Sequence, residues 1–87
     1  MEFEYRVCQS QYGRITFANG EWQGNLPANS DDSQAALDSC PQVWEYLARA
    51  GRAGWELVAA TNTTITHGES VSQLSVELFL KKQKQSL

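Results

Sequence analysis

Apolar and polar side chains alternate over residues 2–8: Phe3, Tyr5 and Val7 point one way, and Glu2, Glu4, Arg6 and Cys8 the other. A period of two is that of a half-buried β-strand. A second β-rich stretch, Arg14 to Phe17, leads into Asn19-Gly20 and then Glu21-Trp22-Gln23. Asn and Gly tolerate the left-handed backbone of a tight turn, so this segment reads as a hairpin. From Gly24 to Asp38 the composition shifts to Asn, Pro, Ser, Asp and Gln, whose side chains compete for backbone hydrogen bonds. We read a polar loop over 24–38, with one helical turn around Gln34 to Leu37.

The period then changes. Ser39 and Gln42 have capping-box spacing, and Pro41 sits where a missing N–H costs little, which predicts a helix to about residue 50. Val43, Trp44, Leu47, Ala48 and Gly51 form its apolar stripe, with Glu45 and Arg49 as an i,i+4 pair on the wet side. Gly51 and Gly54 let the chain leave the helix. Trp55 to Ala60 is strand-like, and the Thr-rich run to Thr66 extends it. His67-Gly68-Glu69-Ser70 reads as a turn, and Val71 to Lys82 as the last strand, with Leu74, Val76, Leu78 and Leu80 on one face. The sum is ββαββ: an α+β fold in which an antiparallel sheet of about four strands carries one main helix on one face. It forms a single domain over 1–87, with a flexible tail from about residue 83.

This arrangement has a functional consequence. If Phe3, Tyr5, Val7, Ile15, Phe17, Trp55 and Leu57 face the helix, the other face carries Glu4, Arg6, Arg14, Thr16, Val58, Ala60, Glu77 and Phe79. One helix cannot cover both faces, so the second meets water or another chain. Arg6, Arg14, Val58, Glu77 and Phe79 make a modest apolar centre with a polar rim. The expected function is a non-enzymatic interaction module that self-associates, as a homo-dimer or with another protein partner, through the open face or an edge strand. The alternative is a sensor or carrier of a small molecule, with Tyr12 and Trp22 as contacts in a pocket near the first hairpin and the polar loop.

Composition narrows the classes further. At 87 residues and 9.7 kDa the chain builds one core, small enough that a partner subunit would add useful burial. A net charge of -3 opposes nucleic-acid binding, and Lys81, Lys82 and Lys84 read as a solvated terminus. No apolar run has the length of a membrane span or the form of a signal peptide, which predicts a cytoplasmic protein with Cys8 and Cys40 reduced. His67 is the sole histidine, Asp31-Asp32 falls in the polar loop, and Gly51-Arg52-Ala53-Gly54 follows a helix rather than preceding one. That order opposes phosphate binding. Cys40, at a helix start, is the better of the two thiols for reactivity, which makes a thiol enzyme a third class. We assign no catalytic, cofactor or metal residues.

Three blocks carry a family likeness. Phe3-Glu4-Tyr5-Arg6-Val7, Leu47 to Gly51 followed by Gly54-Trp55-Glu56-Leu57-Val58, and Phe79-Leu80-Lys81-Lys82 together resemble the domain-of-unknown-function family 4177, a group of short stand-alone proteins. The chain departs from that pattern at Phe3 and Arg6, where the family has Trp and Lys, and in its longer stretch from Gln9 to Asp38. The resemblance implies the fold and brings no reaction or cofactor.

Overall fold

The computed structural model describes residues 2–67 and 71–84, with backbone only for 63–67 and 71–74. Five strands, β1 (Phe3–Gln11), β2 (Arg14–Ala18), β3 (Glu21–Trp22), β4 (Glu56–His67) and β5 (Val71–Gln83), form one antiparallel sheet in the order β3-β2-β1-β5-β4. Two helices, α1 (Ser33–Asp38) and α2 (Val43–Arg52), lie in the connection from β3 to β4. The fold class is the expected α+β. The sheet has one strand more than expected, and the helical turn in the polar loop is a capped helix, with Asp32 accepting from the Ala35 N–H at 3.0 Å.

Local chemistry explains the turns and the helix exit. Tyr12 and Gly13 join β1 to β2 at φ 54 and 76, and Asn19 and Gly20 join β2 to β3 at φ 50 and 81. Positive φ at both central residues gives the turn a twist that matches the strands it joins. Asn19 also accepts the Val7 N–H on its Oδ1 at 2.9 Å. At the end of α2, Gly54 adopts φ 97, while Trp55 N–H donates to Ala50 and Gly54 N–H to Gly51. These paired bonds satisfy the last carbonyls and turn the chain into β4.

The start of α2 corrects the sequence reading. Its N-cap is Gln42, and no side chain caps it. Ser39 instead closes α1: its backbone N–H donates to Ala35 and Ala36, and its Oγ donates to the Ala36 carbonyl at 2.6 Å. Pro41 and Gln42 are held as an extended edge segment, with Ile15 N–H donating to Pro41, Val43 N–H to Gly13, and Arg14 bridging Gln42. Pairing with β2 supplies backbone partners that outcompete a helical start at Ser39.

The helix stripe also turns. Tyr46 and Ala50 are buried, with Val43 and Leu47 packed beside them, while Trp44 is 68% exposed and donates to Gln42 Oε1. Ala48 and Gly51 are exposed too. Tyr46 and Ala50 join Cys8, Ile15, Ala18, Leu78 and Leu80 in the core, and Trp55 packs against them. The cross-strand pairs Arg6↔Leu80, Cys8↔Leu78 and Ser10↔Val76 put Arg6, Cys8 and Ser10 on this helix side. The face assignment for β1 is therefore the reverse of the expected one, and Phe3, Tyr5 and Val7 lie on the other face. Cys8 meets Tyr46 of α2 in the core. Arg6 spans its site by stacking its guanidinium 4.3 Å from the Trp55 ring and donating to Tyr46 Oη at 2.9 Å.

The C-terminal strand ends at Gln83, one residue past the expected Lys82. Lys81 lies over the Phe3 ring at 4.7 Å, Lys82 approaches Trp55, and Lys84 N–H donates to Glu2. Lys81 and Lys82 lie in the strand as expected, but their side chains are half-buried against rings and Glu56 rather than forming a solvated end. His67 closes β4 opposite Val71. The remaining turn positions, 68–70, and the tail from 85 lie outside the described residues.

Candidate interaction surface

The face opposite α2 can be read row by row from strand register. Ala59, Phe79 and Val7 stand side by side across β4, β5 and β1. One neighbouring row is Glu56, Lys81 and Tyr5; the other is Thr61, Glu77, Gln9 and Phe17, continued by Trp22 on β3. Lys81 Nζ lies 3.4 Å from Glu56 Oε1, and the Phe17 and Trp22 rings meet edge to face at 5.5 Å. The result is an apolar centre rimmed by a carboxylate–ammonium pair on one side and by Glu77 and Gln9 on the other. Tyr5 is 67% exposed. Neither helix lies over the central row, since α2 holds Arg6 on the far face and α1 packs at β2.

The edge beside this row is uncovered as well. Residues 56–62 of β4 are all exposed, Leu57 at 47% and Val58 at 54%. Val58 is the extra residue of a bulge, because Leu57 pairs with Leu80 and Ala59 with Phe79. From Leu57 to Thr66 the strand holds no charged residue, proline or glycine.

The five expected interface residues are thus split. Val58, Glu77 and Phe79 sit on or beside the open surface. Arg6 belongs to the helix side, for the packing reason given above. Arg14 is committed to the opposite edge, donating to the carbonyls of Asp38 (3.0 Å) and Cys40 (2.8 Å) and lying 3.8 Å from Asp38 Oδ1. Among the described residues the ion pairs are this one and Lys81–Glu56, so the expected Glu45–Arg49 pair is not formed. Sequence reading missed Tyr5, Val7 and Ala59, whereas Leu57, opposite Leu80, lies on the helix side as expected. The available signal was side-chain size, since Cys8 and Ser10 suit a helix-packed face better than Tyr5 does.

Tyr12 and Trp22 are brought together. They line one cavity of about 600 Å³ with Thr16, Ala36 and Leu37. Trp22 is anchored there, donating its indole N–H to the Leu26 carbonyl at 2.7 Å. Tyr12 is 74% exposed, at the positive φ of its turn.

The thiols are poorly set for nucleophilic chemistry. Both are free and buried. Burial pushes the Cys40 thiol up, outweighing the charge of Arg14, and burial raises Cys8 despite a hydrogen bond with Tyr46 and the charge of Arg6. Tyr46 is raised in turn, first by burial and then by Cys8. Cys40 follows the C-terminal end of α1 instead of opening a helix, so the dipole there opposes a thiolate. Among the described residues no cluster of His, Cys, Asp and Glu could hold a metal ion, and no helix is long and apolar enough to cross a membrane.

No family model matches the chain, and no curated protein or solved structure matches it.

Proposed function

We propose that the protein is a non-enzymatic interaction module that self-associates through the β4–β5 side of its sheet. The observation that carries this reading is the row Ala59–Phe79–Val7 with its polar rim, which neither helix overlies and in which Ala59 is exposed and Phe79 and Val7 are half-buried, beside the exposed Val58 on the β4 edge. Apolar surface of this kind gains free energy when a second chain excludes water from it. Light scattering on a sizing column tests the proposal. The wild type should run as a dimer whose population falls on dilution, and Val58→Asp/Phe79→Asp should run as a monomer. A wild type that stays monomeric at high concentration would refute it.

A second reading, a small-ligand sensor or carrier, is favoured by one observation. Tyr12 carries a bulky side chain on left-handed backbone at the lip of the Trp22 cavity, and strain of that kind concentrates at working sites. Titrating metabolite pools while following tryptophan emission tests it. Quenching in the wild type that disappears in Tyr12→Asn supports a ligand, and an unmoved spectrum counts against one.

A further inference from the structure

We propose that the contact between copies is antiparallel main-chain pairing of β4 with β4 of a second copy across a two-fold axis, an inference that rests on the self-association just proposed. β4 is an outer strand of the sheet, so the N–H and C=O groups on its free side have no neighbouring strand. Sheet proteins usually blunt such an edge with lysine, proline, shortness or a cover. This strand runs twelve residues with no lysine or proline, and among the described residues it carries a bulge at Val58 and is exposed from Glu56 to Asn62.

Three features point to a second copy as the occupant. The first is charge. The chain carries a net charge of -3, so two copies repel, yet Leu57 to Thr66 is neutral. For a two-fold axis at Ala60 or Thr61, the placements that carry the partner strand onto residues 64–66, Glu56 falls opposite Thr64 or Thr66 of the other copy, never opposite a charge. The second is length. β1 ends at Gln11 opposite Ser75, so the pairs from Thr64↔Leu74 to His67↔Val71 continue as a ribbon with no third named strand. Two strands alone are marginally stable. An antiparallel partner β4 lays a further strand along that ribbon, and the two-fold makes the support mutual. The third is continuity: pairing at β4 adds the partner's sheet directly beside the Ala59–Phe79–Val7 row, joining the two open faces into one surface.

Hydrogen exchange read at two protein concentrations tests the geometry. Past the bulge, successive residues of the strand direct their N–H groups to opposite edges, so every second amide over Ala59–Asn62 should slow at least tenfold at the concentration where light scattering shows a dimer, and return to fast exchange on dilution. Ala60→Pro and Thr61→Pro add a second readout. One of the two removes an outward N–H, and that variant should keep its melting temperature to within a few degrees yet lose the dimer. The inference is overturned by a wild-type dimer in which these amides exchange as fast as in the dilute protein, or by a folded dimer in both proline variants. Either result leaves self-association standing through the sheet face. A wild type that is monomeric throughout removes both proposals.

Discussion

At one edge of the sheet, β3 is two residues long, Pro41 and Gln42 hydrogen-bond alongside β2, and Arg14 ties the α1–α2 linker down through two carbonyls. At the other edge, β4 is twelve residues long and exposed from Glu56 to Asn62, and among the described residues its side-chain tie is the Glu56–Lys81 pair. The first edge is closed by the chain's own connection, because the path from β3 to β4 must leave from there and its first residues pair on the way. The second receives the end of that path, after α2 has already packed over the middle of the sheet. Covering one edge used the only long connection the chain has. An uncovered edge in a small domain is where another chain is accommodated at least cost.

Matched substitutions at the two edges give the largest contrast. Ile15→Ala, at a fully buried position on β2, should lower stability by about 3 kcal/mol, since it removes packed methylenes and leaves a cavity. Leu57→Ala on β4 should lower it by less than about 1 kcal/mol in dilute protein, where the site is already wet. Urea unfolding below the association range measures both, and equal losses would mean that β4 is covered. Next come the ionic ties. Arg14→Ala should cost about 1–2 kcal/mol, because the part-buried Cys40 carbonyl loses its donor while water replaces it at the exposed Asp38 carbonyl. Lys81→Ala should cost under about 1 kcal/mol, as an exposed ion pair contributes little.

The turns on the closed side provide a test of opposite signs. Asn19→Ala should destabilise by about 1 kcal/mol, since alanine neither accepts from Val7 nor tolerates φ 50 as well. Tyr12→Asn should stabilise by up to about 1 kcal/mol, because asparagine suits the left-handed region better than tyrosine does. A loss of stability in Tyr12→Asn would show that the tyrosine ring is held by contacts on the closed side.

The smallest effect concerns pH. Cys8 and Cys40 both have folded pKa values raised above the ordinary 9.0, with burial as the leading cause. A raised pKa means that the folded chain keeps protons the unfolded chain gives up. The stability from these neutral thiols is therefore fully present below about pH 9 and is lost as pH rises through the folded values. Urea midpoints should be flat from pH 7 to about 8.5 and decline above it, and native thiols should resist alkylation at pH 8 until the protein unfolds. Alkylation of either thiol without unfolding would contradict the burial described for both.

How legible this was depended on the range of each signal. The Asn19-Gly20 turn and the Gly54 exit were readable because each is decided within four or five residues by which φ a side chain permits. The Tyr12-Gly13 turn was missed because tyrosine seldom takes such a backbone. Ser39 and Pro41 carried a sound local capping pattern that lost to pairing with a strand more than twenty residues away. Tyr12 and Trp22, expected as contacts near the first hairpin and the polar loop, line one cavity there, whereas Arg6 and Arg14 were placed on a surface that neither occupies.

From its amino acids alone, this protein was bound to form a small α+β unit with an alternating first strand, an Asn-Gly hairpin, a helix ended by glycine and a long β-branched strand after it. Tertiary packing alone decided which parity of β1 lies under the helix and which edge stays open. Alternation marks two faces without labelling them, and the label came from Cys8 packing with Tyr46 in the core while Arg6 found Trp55 and Tyr46.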